Sequence, residues 1–225
     1  MKNPIPTNLR SEMFSLLPIL LSFVASIYFF NNFPEQVPTH WSMSGEIDGW
    51  TSRPFAAFSM PIIILFLYLL FLLLPIIDPK KERYKQFSRA YKVFKNAIIF
   101  FLLALYFIVG FNALGYDISV AFWVPFLVGM LFVLMGNYMA KIKMNWFVGI
   151  KNPWTLSSEK VWDKTHRFGG KVFIISGLVI AFMNVLPSNW RLPVFIVTIL
   201  MMTFGVFLYS YILFNKEKKQ NERKN

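Results

Sequence analysis

Six stretches of the chain are long, apolar and uncharged in their interiors, and they constrain the fold more than any other feature. They cover residues 13–30, 55–77, 97–114, 118–140, 172–186 and 192–214. Crossing a hydrocarbon core about 30 Å thick takes roughly 20 helical residues. The fifth stretch reaches that length only if residues 168–171 join it, with the Lys171 amine extended to the interface. The sequence therefore predicts an all-α, polytopic membrane helix bundle of about six transmembrane helices.

Composition agrees with a membrane protein. Of the 225 residues, 56% are hydrophobic and 15% are charged, whereas a soluble domain has about 45–50% apolar and about 25% charged residues. An apolar excess of this size does not fit inside a water-soluble globule, and it excludes a disordered chain or a coiled coil. The first stretch ends in Phe29-Phe30-Asn31-Asn32 without a small-residue cleavage site. We therefore expect a retained span and not a signal peptide.

Basic residues are distributed unequally between the connections. All but two of the 23 Lys and Arg residues fall on one side of the membrane, at residues 1–12, 78–96, 141–171 and 215–225. The exceptions are Arg53 and Arg191. Because Lys and Arg concentrate in cytoplasmic loops, both termini are predicted to be cytoplasmic and residues 31–54 extracellular. A basic cytoplasmic face attracts anionic lipid, so the net charge of +12 does not require a nucleic-acid partner.

The outer loop, residues 31–54, is too long and too patterned for a simple turn. Pro34 and Pro38 favour extended backbone, while Gly45 and Asp48-Gly49 favour turns. The loop is net negative and rich in aromatic residues, so we expect it to fold onto the helix ends and to suit a cationic partner. The candidate ligand-facing residues are His40, Trp41, Gly45, Asp48 and Trp50. The alternative is that the tryptophans belong to the interfacial aromatic belt and that Asp48 only stabilises its own turn.

The inner loop, residues 141–171, is predicted to contain a turn and a short helix. Asn152-Pro153-Trp154 forms the turn, because the residue before a proline avoids helical dihedrals, and Ser157 caps the helix. Asp163 and Arg167 are four residues apart and can pair. Gly169-Gly170 is expected to end the helix before the fifth span. One stripe of the helix is apolar and consists of Val161, Trp162, Thr165 and Phe168.

This pattern predicts a short amphipathic helix in the cytoplasmic interface, with Trp162 and Phe168 entering the lipid. His166 is expected to form a hydrogen bond to the loop backbone, and a pH-sensing role is the alternative. The basic residues Lys160 and Lys164 then face a cytoplasmic partner or anionic lipid. The structural alternative is that the whole segment is an elbow between spans four and five.

The inner loop resembles the signature of the SdpI family of bacterial membrane immunity proteins. The residues that carry the resemblance are Asn145, Gly149, Asn152, Pro153, Trp154, Thr155, Glu159, Trp162, Thr165, His166 and Arg167. The outer loop, from Pro38 to Trp50, resembles a two-span domain of unknown function that often precedes it. The resemblance implies an N-terminal two-span domain at residues 1–80 and a four-span domain at residues 81–225.

The resemblance also implies a function. Members of the family are bacterial plasma-membrane proteins that protect a cell from its own secreted, membrane-active toxin peptide. Some members also hold a cognate transcriptional repressor at the membrane. A secreted toxin peptide and a cytoplasmic repressor are therefore the expected partners, besides the lipid bilayer and without direct nucleic-acid contact.

Motifs of an enzyme are absent from the sequence, which has no HExxH, GxSxG or Walker A motif and no cysteine. His40 and His166 are expected on opposite sides, so neither a metal site nor a cofactor is predicted. The six stretches carry no acidic or basic residue other than the boundary Lys171, whereas proton- and ion-coupled carriers usually bury one. Three hypotheses follow: a toxin-immunity and signalling protein, a transporter or exporter of a hydrophobic peptide or other small substrate, and a structural or lipid-binding module.

Overall fold

The computed structural model describes residues 3–42 and 45–223 of the chain. Its elements in chain order are α1 (Leu9–Asn32), strands β1 (Gln36–Trp41) and β2 (Ile47–Ser52), α2 (Arg53–Ile77), α3 (Tyr84–Ala113), α4 (Val120–Met139), α5 (Pro153–Ser157), α6 (Glu159–Ala181), α7 (Ser188–Leu200) and α8 (Val206–Glu222). A π-helical turn at Met201–Gly205 joins α7 to α8. Within the described residues six segments are long and apolar enough to cross a membrane. The predicted all-α, six-span bundle is confirmed.

Helices α1, α2 and α3 pack together through two buried clusters. The first contains Phe29, Val37 and Tyr106, and the Tyr106 hydroxyl donates a 2.6 Å hydrogen bond to the Ala57 carbonyl oxygen. The second cluster lies farther from strands β1 and β2 and contains Ile19, Ile64, Tyr68, Ile99 and Leu103. Helix α3 also packs against α4, so it joins the first two spans to the last three.

Helices α4 and α6 approach each other at two pairs of glycines. A Cβ added at Gly129 would lie 2.3 Å from the Gly177 carbonyl oxygen, and one added at Gly136 would lie 2.6 Å from the Gly170 carbonyl oxygen. The glycines are two helical turns apart in each helix, so two antiparallel helices bring both pairs into contact. Small residues of this kind allow close backbone packing where lipid provides no hydrophobic driving force between helices.

The two ends of the bundle carry different connections. At one end, here called the motif end, Asn3 donates to the Leu72 carbonyl oxygen and Ser158 donates to Glu217 of α8. The first residues described, the inner loop and the end of α8 therefore share the motif end. The opposite end, here called the hairpin end, carries β1 and β2 and the short connections from α3 to α4 and from α6 to α7.

The helices that contain the first and third apolar stretches extend beyond them and include charged residues, which the sequence analysis placed outside the spans. Helix α3 begins at Tyr84 and not near residue 97, and α1 begins at Leu9. These extensions place Glu12 and Lys95 inside helices, where their side chains form an ion pair and are only 7% and 4% exposed. Pairing offsets part of the cost of removing both charges from water. Beside them, the Ser15 hydroxyl donates a 2.7 Å hydrogen bond to Asn96 Oδ1.

The predicted end of the motif helix at Gly169-Gly170 is also wrong. Helix α6 runs without a break from Glu159 to Ala181, so the motif helix and the fifth span are one element. Both glycines keep helical backbone and serve close packing: a Cβ on Gly169 would lie 2.4 Å from Ile150 Cδ1, and one on Gly170 would lie 2.7 Å from the Gly136 carbonyl oxygen. Ser158, and not Ser157, caps the helix, since its side chain accepts from the Val161 N–H at 3.3 Å.

The outer loop folds as an antiparallel β-hairpin, which the sequence analysis did not predict. Strands β1 and β2 pair from Gln36 with Ser52 to Trp41 with Ile47, and the register shifts on either side of His40. The expected turn at Asp48-Gly49 is wrong, because both residues lie within β2. Val37 is fully buried in the cluster of α1, α2 and α3, so the hairpin is anchored on the helix ends as expected.

Candidate functional site

Asn145 and Gly149 shape the start of the inner motif. The Asn145 side chain is fully buried, and its Oδ1 accepts from the backbone N–H groups of Phe147 at 2.9 Å and Val148 at 2.7 Å. Gly149 has a φ of +117°, a conformation that L-residues rarely adopt, and a Cβ there would lie 2.5 Å from His166 Nε2. The sharp turn and the missing side chain together bring the loop backbone onto α6.

His166 uses both ring nitrogens for backbone hydrogen bonds. Its Nε2 accepts from the Ile150 N–H at 3.0 Å, and its Nδ1 lies 2.9 Å from the Trp162 carbonyl oxygen, to which it donates. This arrangement requires the neutral tautomer with the proton on Nδ1. The side chain is fully buried. The predicted hydrogen bond between His166 and the loop backbone is therefore present.

Trp162 is fully buried inside the protein, so the prediction that it enters the lipid interface is wrong. Its ring stacks on His166 with centroids 4.0 Å apart, and its Nε1 donates to the Ile142 carbonyl oxygen at 2.9 Å. It packs in a cluster with Ile5, which precedes α1, and with Tyr84 and other residues of α3. Phe168 is half-buried and stacks on Tyr209 of α8. The apolar stripe was correctly placed, but protein and not lipid covers it.

The Asn152-Pro153-Trp154 turn begins α5 through a reciprocal cap. Asn152 Oδ1 accepts from the Thr155 N–H at 2.9 Å, and the Thr155 hydroxyl accepts from the Asn152 N–H at 3.0 Å. Asn152 Nδ2 also donates to the Ser210 hydroxyl of α8 at 2.8 Å. The Trp154 ring contacts Phe207 and Tyr211, with centroids 4.6 and 5.0 Å apart. These contacts fix α5 against α8.

The remaining motif residues divide between the surface and the interior. Glu159 is exposed and pairs with Arg83, just before α3. Arg167 is also exposed. The prediction that Asp163 pairs with Arg167 is wrong, because Asp163 Oδ1 lies 3.8 Å from the Lys143 Nζ atom instead. Thr165 is fully buried, and its hydroxyl has no hydrogen-bond partner among the described residues.

Asp78 is a central residue of the motif end that the sequence analysis missed. It follows α2 and is 2% exposed. Its Oδ2 accepts from the Tyr84 hydroxyl at 2.9 Å and from the Trp146 N–H at 3.0 Å, and its Oδ1 accepts from the Lys80 N–H at 2.7 Å. The carboxylate therefore ties the end of α2 to the inner loop. The available signal was a lone acidic residue before a run of basic ones.

At the hairpin end, the outer-loop candidates lie on β1, β2 and their connection. His40 Nδ1 contacts Asp48 Oδ1 across the two strands, and both side chains are largely solvent-exposed. Trp50 is 55% exposed, whereas Trp41 is half-buried. Gly45 has a φ of +92°, and a Cβ there would lie 3.3 Å from the Ala121 Cβ, so the hairpin tip lies against the start of α4.

An apolar cavity of about 480 Å³ lies beneath the hairpin. Its walls come from α2, α3, α4, α6 and α7, and β1 lines it at the hairpin end. Its lining residues include His40, Trp41, Ser42, Val124, Val128, Ile180, Asn184 and Arg191. His40 and Trp41 therefore border a cavity of the size that small-molecule and side-chain ligands occupy. The motif residues, at the opposite end of the bundle, do not contact it.

Six apolar spans, lipid-exposed helix surfaces and a polar network at one end define a multi-pass helical protein of the cell membrane. The model of the SdpI/YfhL protein family matches residues 141–212, and the model of a domain of unknown function, DUF1648, matches residues 17–65. The resemblance inferred from the motifs is thereby confirmed. The chain is also 27% identical to the Immunity protein SdpI of Bacillus subtilis, over 92% of this chain and 98% of that protein. No solved structure shows significant similarity to the chain.

Proposed function

We propose that this protein is an immunity protein that protects the cell membrane from a secreted, membrane-active toxin peptide. The observation that carries the proposal is the similarity to a protein named for immunity, which extends over nearly the full length of both chains. The hairpin and its cavity provide a surface that a toxin can reach from one side of the membrane. Expression of the chain in a toxin-sensitive bacterium tests the proposal, and unchanged killing by the toxin-producing strain would refute it.

The proposed orientation places the hairpin end outside and the motif end in the cytoplasm. It is supported by the basic residues, which lie almost entirely at the motif end. Because the chain has no cysteine, single Cys residues report without background. Glu46→Cys on the exposed connection of the hairpin is expected to react with an impermeant maleimide in whole cells, whereas Lys164→Cys is expected to react only after lysis. The reverse pattern would refute the orientation.

The hairpin is the proposed toxin-facing surface, with His40, Trp41, Gly45, Asp48 and Trp50 as its contact residues. Trp41→Ala and Asp48→Asn are expected to reduce protection at normal protein abundance. Trp190→Ala is a matched control, because Trp190 is exposed at the same end but lies on α7. If both hairpin variants protect as well as the control, the hairpin is only a structural lid.

A docking face for a cytoplasmic repressor is proposed at the motif end. Lys160 and Lys164 are exposed on α6 and border a cleft with Lys216 and Glu217 of α8. Lys160→Glu with Lys164→Glu is expected to abolish recruitment of the repressor and to leave protection intact. Lys218→Glu with Lys219→Glu is the matched control, because it makes the same charge change on α8 at residues that do not border the cleft. Equal recruitment in both double variants would remove the signalling role.

The buried Glu12–Lys95 pair supports a second candidate function, transport of a hydrophobic peptide or other small substrate. The pair lies at the first turn of α1, near the motif end, and buried ionisable residues of spanning helices are typical of proton- and ion-coupled carriers. Collapse of the proton gradient by an ionophore distinguishes the two functions. Protection that persists in the presence of the ionophore favours immunity without coupling, whereas loss of protection at normal protein abundance favours coupled transport.

A further inference from the structure

The cavity beneath the hairpin is polar at its mouth and apolar in its depth. His40, Ser42, Asn184 and Arg191 line the hairpin end. Val128 lies eight residues beyond the first residue of α4, which corresponds to about 12 Å along a helix that rises 1.5 Å per residue. The deeper walls contain aliphatic side chains. A ligand that fits this arrangement is amphipathic, with an apolar part in the cavity and a polar part at the mouth.

The charges of the hairpin end favour a cationic ligand. Glu35, Glu46, Asp48 and Asp117 are exposed there. The opposing cations are Arg53, which donates to the Pro34 carbonyl oxygen, and Arg191. Arg191 keeps its positive charge at the cavity mouth, and two of its five guanidinium donors are directed to the carbonyl oxygens of Leu186 at 3.1 Å and Asn184 at 3.3 Å. The acidic residues outnumber the basic ones, which opposes the phosphate group of a lipid and attracts a cationic peptide.

We propose that this cavity binds the apolar segment of a cationic amphipathic peptide that arrives at the hairpin end. The inference rests on the proposed immunity function and deepens it, because it assigns the site and the chemical class of the ligand. The apolar side chains of the peptide lie between α3, α4 and α6. Its cationic side chains lie against the acidic residues of β2 and of the connection that precedes it.

The test uses purified full-length protein in lipid nanodiscs and a fluorescent synthetic peptide of leucine and lysine. Val128→Trp fills the depth of the cavity. Met130→Trp is the matched control, because Met130 lies on the same helix, is 41% exposed and is not one of the residues that line the cavity. The wild type and the control are expected to bind the peptide more tightly than empty nanodiscs do. Val128→Trp is expected to weaken binding by about tenfold or more, because the apolar segment loses its cavity. A second filling variant, Val124→Phe, serves if Val128→Trp does not fold.

A peptide of leucine and glutamate tests the role of charge. It is expected to bind nanodiscs that contain the protein no more tightly than it binds empty nanodiscs. The proposal is overturned if the filled cavity binds the leucine–lysine peptide as well as the control does, or if both peptides bind equally. It is also overturned if neither peptide binds and a phospholipid co-purifies with the wild type but not with Val128→Trp. The binding assay does not depend on protection in cells, so a failed protection assay refutes the immunity function separately.

Discussion

Removal of Lys95 from the buried ion pair is expected to destabilise the fold severely. Lys95→Met leaves the Glu12 carboxylate, 7% exposed, without its counter-ion between α1 and α3. Glu12 Oε1 already lacks a hydrogen-bond partner among the described residues. Breaking one side of a buried pair costs about 3–5 kcal/mol. We therefore expect the ratio of folded to unfolded protein to fall by roughly a hundredfold to several thousandfold.

Removal of both charges is expected to restore stability. Buried ion pairs replaced by apolar residues of similar volume are often neutral or stabilising, so Glu12→Leu with Lys95→Met should unfold within about 1 kcal/mol of the wild type. The matched control is Lys92→Met, which removes the same charge from α3 at a less buried position, where the amine donates to the Pro6 carbonyl oxygen.

The free energy of unfolding is measured by titration with sodium dodecyl sulfate in mixed micelles, with helicity as the signal. The expected order is wild type, control and double variant close together, and Lys95→Met far below them. If Lys95→Met unfolds like Lys92→Met, Glu12 is not held in a water-free site and the ion pair does not stabilise the fold. If the double variant is as unstable as Lys95→Met, the loss came from packing and not from an unpaired charge.

Three further substitutions test the packing at the motif end and between the helices. Gly149→Ala is expected to lower the melting temperature, because an L-residue at positive φ costs about 1–2 kcal/mol and its Cβ would contact His166. Gly177→Leu is expected to separate α4 from α6 and to prevent accumulation of folded protein, whereas Ile175→Leu, at a lipid-exposed site, should be neutral by immunoblot. Asp78→Ala removes the acceptor of the Lys80 and Trp146 N–H groups and leaves the Tyr84 hydroxyl with only the longer bond to Asn145 Oδ1. A buried donor left unsatisfied costs about 1–3 kcal/mol, and unchanged denaturant stability would contradict the proposed role of Asp78 at the end of α2.

The spans were predictable because the bilayer imposes length and apolarity on every spanning helix. The residues at which the helices begin at the motif end were not predictable. Residues 84–96 and 159–171 carry many basic residues. The first segment was predicted to be a loop and the second to hold a short helix separate from the fifth span, yet they are the first turns of α3 and of the continuous α6. One face of each extension is buried and the other bears the charges. Local composition averages the two faces, so it shifts the apparent start of the helix toward the apolar core.

The contacts between distant residues had no local signal. Glu12 and Lys95 are 83 residues apart, and each lies at the edge of an apolar stretch where a solvated charge is ordinary. Trp162 shows the complementary limit. Its position on an apolar stripe followed from helical spacing, but spacing does not reveal whether lipid or protein covers that stripe. Here the start of α3 covers it, through Tyr84 and its neighbours.

Helix α6 connects the two candidate sites, and this limits how one can influence the other. Ile180 lines the cavity and His166 is buried at the motif end, 14 residues away on the same unbroken helix, or about 21 Å. The glycine contacts between Gly129 and Gly177 and between Gly136 and Gly170 leave no space for α6 to bend toward α4. We therefore expect an occupied cavity to act on the motif end by moving α6 as a rigid element between two positions. Such a shift would act on the hydrogen bonds that join α6 to the inner loop, from the Ile150 N–H to His166 and from Trp162 Nε1 to the Ile142 carbonyl oxygen.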